Sequence, residues 1–263
     1  VSHQICEVCG VPHDDPTYKY SQANLRILIS SIPKSGTNLI IQLFGEGRAK
    51  HINTSVSVQY DGMPIRKDLG SEKAHVPFGQ TCREISAFKG VAFGHIPFRL
   101  DFLEAMQAKP TFFILNVRDP RDVIVSHYHW IQERPNALMN WTYLDDTRLS
   151  DKSDPIMSLI IAAPLLWQNY LPWLDHAYVM RFENLRTDLR LACRKMLDKV
   201  GVQAQTQLNL SEHAMAARVK PTISPTFRKG GIGEWKSHFT AEHREVFNRS
   251  MQETMERLGY GLE

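Results

Sequence analysis

The sequence predicts an α/β fold, a central parallel sheet flanked by helices, and three observations carry that prediction. Apolar runs of strand length occur at residues 25–31 (LRILISS), 89–94 (KGVAFG), 111–117 (TFFILNV) and 178–182 (YVMRF). Runs of this kind suit strands buried on both faces of a sheet. Segments of helical character follow them, and parallel neighbours need such crossovers. The 263 residues, 43% of them hydrophobic, supply ample core and contain no linker-like tract. One large domain over residues 25–263 is therefore expected, after an irregular, polar N-terminal segment at 1–24.

Taken in order, the first strand enters the turn I-P-K-S-G-T, and Leu39, Ile40, Leu43 and Phe44 then recur at helical spacing. Residues 45–80 are rich in Gly, Pro, Ser and charge and read as a loop region with one short helix at most. Between the third and fourth runs, Ile156, Ile160, Trp167, Tyr170, Leu171 and Leu174 predict a long amphipathic helix.

A net charge of +3 allows an anionic ligand but is far from the basic excess of a nucleic-acid binder, so no nucleic-acid partner is expected. The longest apolar stretch, 156–167, is interrupted by Ser158 and Pro164 and is shorter than the roughly 18 residues that span a bilayer. The first ten residues, VSHQICEVCG, lack the basic start and apolar core of a signal peptide. Four cysteines (Cys6, Cys9, Cys82, Cys193) are too few and too scattered for a disulfide scaffold. A cytoplasmic location without a membrane partner is the expectation.

Three segments carry chemistry. S-I-P-K-S-G-T at 31–37 lies where a strand gives way to a helix, so backbone N–H groups and the positive end of the helix dipole make an anion site, and Lys34 adds a charge. It is not a Walker A motif, because Lys34 precedes the glycine and the earlier glycine is missing. V-R-D-P-R-D-V-I-V-S-H-Y at 117–128 presents Arg118 at a strand end and Ser126 two turns into the next helix, a bidentate donor and a hydroxyl for a phosphate. F-R-K-G-G-I-G-E-W-K at 227–236 sets Arg228 and Lys229 before three glycines, suited to a loop that closes over an anion. Each alone reads equally as an ordinary turn, a capped helix with a surface arginine, or a basic surface loop.

Together, P-K-S-G-T, R-D-P-R-D-V-x-V-S and R-K-G-G-x-G-E-W-K-x-x-F-T resemble, in order and spacing, the cytosolic sulfotransferases that use 3′-phosphoadenosine 5′-phosphosulfate (PAPS). The resemblance runs from about residue 25 to residue 245 and implies a nucleotide-kinase-like fold with a phosphate loop after the first strand. It implies that Lys34, Ser35, Gly36 and Thr37 cradle the 5′-phosphosulfate. It further implies that Arg118 and Ser126 hold the 3′-phosphate and that Arg228, Lys229 and Gly230 clamp it. His95, in Gly94-His95-Ile96-Pro97, matches the family's general base. His95, Lys34 and Ser126 are thus the catalytic candidates, with Lys34 neutralising charge on the leaving phosphate oxygen. No metal is implied. A K-x-x-x-T-V-x-x-x-E segment makes a small homodimer contact in that family, and this chain matches it from Lys236 to Glu245 except for Ala241. A weak homodimer is expected.

The departures are specific. Asn38 and Leu39 stand where the family continues Thr-Trp, so adenine stacking is either weaker or supplied elsewhere, with Phe227 as a candidate. Phe93 replaces a lysine two residues before the histidine. Phe182-Glu183-Asn184 replaces Tyr-Glu-Asp, which removes the tyrosine hydroxyl at the cofactor-binding candidate Phe182. Outside the motifs, His3, Cys6, Cys9 and His13 read either as half a zinc ribbon or as a tail with reduced thiols. Trp130, Trp141 and Tyr143 read as acceptor-pocket walls or as packing.

The expected function is transfer of a sulfuryl group from PAPS to a hydroxyl or amine of a small organic acceptor. An ATP-dependent small-molecule kinase and a non-catalytic protein that binds PAPS or its product are the alternatives.

Overall fold

A computed structural model describes residues 25–45, 48–52, 78–133, 153–220 and 230–262. Five parallel strands form one sheet in the order β2-β3-β1-β4-β5. They are β1 (Arg26–Ser31), β2 (Ala49–His51), β3 (Val91–Gly94), β4 (Thr111–Val117) and β5 (Tyr178–Arg181). In register, Ser30 of β1 pairs with Gly94 of β3, and Ser31 with Asn116 of β4. The carboxyl ends of the three middle strands are therefore level on one edge.

Every residue of β1 is buried, because its alternate side chains enter two cores. Ile27 and Ile29 pack with Ile40, Leu43 and Phe44 of α1 (Thr37–Phe44) and with Met196 and Leu197. The latter two lie on α7 (Leu189–Val200), which follows α6 (Phe182–Thr187) and precedes α8 (Val202–Leu208) and α9 (Glu212–Arg218). Leu28 and Ile32 face the opposite core, with Ile85 of α2 (Phe78–Ala87), Phe102 of α3 (Leu100–Gln107) and Val123 of α4 (Pro120–Glu133). Trp167 of α5 (Pro155–Gln168) and Phe247 of α10 (Ala241–Leu258) complete it. This two-faced burial is what the unbroken apolar runs predict.

Arg26 is the polar exception inside β1. Its guanidinium donates to the carbonyls of Ile85 (2.8 Å), Ser86 (3.1 Å) and Met106 (3.3 Å) and to Thr111 Oγ1 (2.7 Å). It thereby satisfies the last carbonyls of α2 and α3, where a cation is favoured.

Two expectations change. The long helix predicted across 156–174 stops at Gln168 and is followed by a separate 3-10 turn, Leu171–Asp175. Pro172 explains the break, since it lacks an N–H and disfavours helical geometry at the residue before it. The region 45–80 contains strand β2, whose sequence Ala-Lys-His carries no apolar run, and the start of α2. At the start of α10, Thr240 accepts from His243 N, and His243 Nδ1 accepts from Thr240 N. The ring's remaining N–H, at Nε2, donates to Asp154 Oδ2 at 2.8 Å, joining the starts of α5 and α10. Among the described residues no helix is long and apolar enough to cross a membrane.

Candidate active site

The segments after β1, β3, β4 and β5 leave the same edge of the sheet, where ligands of parallel α/β folds bind. The turn after β1 holds Lys34 at φ 68° and Gly36 at φ 89°. Lys34 is one of two non-glycine residues with positive φ among those described, a costly backbone state that the surroundings enforce. Asn116, buried at the end of β4, does part of this: its Nδ2 donates to Ser35 O (2.8 Å) and Ser31 Oγ (3.1 Å). Ser31 Oγ also meets Thr37 Oγ1 at 2.8 Å.

α1 begins at Thr37 with no side-chain cap and no acidic residue in its first turn, and Asn38 is its second residue. Ser35 Oγ is buried and has no hydrogen-bond partner among the described residues. An uncapped helix start, an orphaned hydroxyl and the ammonium of Lys34 together fit an anion such as a phosphate. Lys34 Nζ lies 5.4 Å from the ring centroid of Trp130 on α4.

Arg118, 5% exposed, sits beside this turn. Its Nη1 donates to Lys34 O (3.3 Å) and its Nη2 to Gly231 O (2.8 Å), and the guanidinium carbon lies 4.5 Å from the centre of the Phe182 ring. Its Nε is buried without a partner among the described residues, a donor left for a ligand. Burial lowers the pKa of the guanidinium, opposed first by Asp122 and then by Glu183, Glu234 and Asp119. Phe182, the first residue of α6, covers Gly36 so closely that a Cβ there would fall 2.4 Å from Phe182 Cδ2.

The glycine segment is tied down at four points. Gly230 O accepts from Arg186 Nε at 3.1 Å, and Gly231 O from Arg118. Gly233 N donates to Asp122 Oδ2 (2.7 Å) and Trp235 N to Asp122 Oδ1 (3.1 Å). Burial raises the pKa of Asp122, while Arg118 and these two N–H groups pull it down.

His95 follows β3, with Nδ1 2.6 Å from Ser31 O. A carbonyl can only accept, so Nδ1 carries the proton and the neutral ring has its basic lone pair on Nε2. Burial lowers the His95 pKa, the Ser31 bond opposes this, and His51 and Lys34 lower it further. The next residue is fixed by Ser30, whose Oγ bonds Ile96 O (2.9 Å) and Ile96 N (3.2 Å), and by Trp173 Nε1 on Ile96 O (2.9 Å). His127, beside Ser126 on α4, is 2% exposed. Its pKa falls well below the ordinary imidazole value through burial first, then Lys34 and His95.

Of the residues singled out in the sequence, Lys34, Ser35, Gly36, Thr37, His95, Arg118 and Phe182 converge on this edge, and Gly230 is held at its rim. Ser126 is half-buried one helical turn beyond Asp122, and among the described residues no hydrogen bond joins its side chain to Arg118. Phe227, Arg228 and Lys229 lie outside the described residues, as do His3, Cys6, Cys9, His13, Trp141 and Tyr143. Sequence reasoning missed Asn116, Asp122, His127 and Arg186. An amide inside the apolar run TFFILNV was the visible signal for Asn116.

The sulfotransferase domain family matches residues 25–259. Rat sulfotransferase 2A1 is 25% identical over 266 residues, covering 90% of this chain and 86% of the relative. Bovine sulfotransferase 1E1 is 22% identical over 256 residues, covering 87% and 83%. Among solved structures, mouse sulfotransferase SULT7A1 complexed with 3′-phosphoadenosine 5′-phosphate (PAP) superposes with a TM-score of 0.54 at 16% identity, covering 94% of this chain and 92% of that one. A retinol dehydratase in complex with androsterone and PAP gives 0.50 at 14% identity, covering 91% and 85%. These structures share the fold of a parallel sheet with helices on both faces, and the family match spans nearly all of it: the chain is an enzyme of the sulfotransferase family.

Proposed function

We propose that the protein transfers the sulfuryl group of PAPS to a hydroxyl or amine of a small organic acceptor. The observation that carries this reading is His95, whose Nδ1–H is committed to Ser31 O, so that the neutral ring offers a base at the edge that also carries Lys34 and the anion-fitting turn. His95 Nε2 takes the acceptor's proton as the acceptor oxygen or nitrogen bonds to sulfur. The bond from sulfur to the 5′-phosphate oxygen breaks, and that oxygen leaves with its electron pair as part of PAP. Lys34 and the N–H groups at the start of α1 stabilise the charge on it. Arg118 and Ser126 hold the 3′-phosphate, with Arg228, Lys229 and Gly230 closing over it.

Phe182, whose ring lies between Gly36 and Arg118, is assigned to the nucleotide, and Phe227 is the second candidate for stacking on adenine. Trp130, packed against the core with Lys34 Nζ over its ring, is the described residue this reading assigns to the acceptor side. A relative from Cavia porcellus, 25% identical, is named a 3-beta-hydroxysteroid sulfotransferase, which supports the hydroxyl arm of the proposal. Nothing in these roles calls on a metal.

Transfer of labelled sulfate from PAPS to a panel of phenols, alcohols, steroids and amines tests the reading, with ATP in place of PAPS as the kinase control. His95→Asn is expected to lower turnover by about 10²- to 10⁴-fold while PAP still binds. Undiminished turnover in that variant overturns the assignment of the base, and transfer from ATP alone overturns the reaction.

A further inference from the structure

Asp122 is the third residue of α4, where a carboxylate ordinarily serves the start of its own helix. Here it does not. Asp119 performs that task, accepting Arg121 N at 2.9 Å. Both oxygens of Asp122 are spent on backbone more than a hundred residues away, on Gly233 N and Trp235 N. The Asp122 side chain is fully buried, and Oδ2 lies 4.0 Å from Arg118 Nη2, one turn back. That same Nη2 donates to Gly231 O. A closed circuit results: guanidinium to loop carbonyl, loop N–H to carboxylate, carboxylate facing guanidinium.

A buried carboxylate and a buried guanidinium that are not in direct contact are costly unless other dipoles solvate them. The glycine segment supplies those dipoles, a carbonyl to the cation and two N–H groups to the anion. Its conformation and the aim of Arg118 are therefore set together.

From this circuit we propose that Asp122 is a positioning residue for the nucleotide's 3′-phosphate, acting through the glycine segment and Arg118 rather than by touching the ligand. The inference rests on the assignment of Arg118 to the 3′-phosphate made above. Replacing the carboxylate by an amide turns one acceptor into a donor facing a backbone N–H, which releases one end of the loop and removes the foremost of the carboxylates that favour the Arg118 charge.

The test compares PAP with adenosine 5′-monophosphate, which differs only in lacking the 3′-phosphate, by calorimetric titration. Asp122→Asn is expected to weaken PAP about ten-fold or more and to leave the monophosphate within about two-fold. A general loss of structure would weaken both alike, so equal losses overturn the proposal, as does unchanged PAP affinity. Should Asp122→Asn fail to fold, Asp122→Glu decides: it keeps the charge but moves the carboxylate off Gly233 N and Trp235 N. A several-fold loss confined to PAP supports the circuit, and no change overturns it. If the unaltered protein binds PAP and the monophosphate equally, the 3′-phosphate assignment itself fails, whatever the variants do.

Discussion

The ring of Phe182 rests on Gly36 at a distance that leaves no room for a Cβ, and the guanidinium of Arg118 lies 4.5 Å from the centre of the same ring. One side chain thus joins the turn after β1 to the arginine after β4. Only a residue without a side chain permits the approach, and the positive φ at position 36 asks for the same residue independently.

Gly36→Ala is therefore expected to cost about 1–3 kcal/mol in stability and to weaken PAP binding, through both the backbone and the ring. Pairing it with Phe182→Ala relieves the clash and leaves the backbone penalty. Thermal unfolding of the two single variants and the double variant should be less than additive. Strict additivity shows that the ring yields without cost.

Lys34→Ala is expected to lower kcat by about 10²- to 10³-fold with a smaller change in PAP affinity, because its charge matters most as the leaving oxygen becomes anionic. Single-turnover measurement at saturating PAPS separates the two. A lost affinity with unchanged chemistry assigns Lys34 to binding alone.

Acid sensitivity follows from His95 and His127, whose pKa values burial lowers in the folded state. The unfolded chain then binds protons first, at about pH 6.5, so stability is complete above that pH and declines as the pH falls below it. Unfolding temperatures across pH 8 to 5 should show the decline, and His127→Gln should flatten it. In the same way, the acidic limb of kcat/KM is expected below the ordinary imidazole value. A limb above it contradicts the burial of His95.

Lys236 and Glu245 both lie exposed, Lys236 at the 3-10 turn Glu234–Ser237 and Glu245 in the second turn of α10. We propose that they pair across a two-fold axis in a weak homodimer. Sedimentation at rising concentration should show monomer and dimer in exchange, and Glu245→Lys should shift the exchange toward monomer. A dimer indifferent to that change places the interface elsewhere.

The parts legible in the sequence are those whose signal is local. β1 and β4 announce themselves because burial on both faces leaves no polar alternation. Lys34, His95 and Arg118 sit at strand ends inside short motifs. β2 escaped because three residues at a sheet edge carry no apolar run, and the helix from 156 was overextended because its apolar spacing continues through Pro172. Asn116, Asp122 and Arg186 escaped for another reason: their partners lie 81, 111 and 44 residues away, and even the amide visible inside TFFILNV names no partner.

Arg26, at the opening of β1, bears on the electrical polarity of the whole sheet. In a parallel α/β layer each helix runs counter to the strands, so bare carbonyls gather at one rim and bare amides at the other. At the amide rim stand Lys34 and the uncapped start of α1. At the carbonyl rim one guanidinium joins the ends of α2 and α3. The Arg26 guanidinium and the anion-fitting turn at Lys34 thus stand at opposite ends of β1, the one meeting the carbonyl ends of α2 and α3 and the other opening at the start of α1.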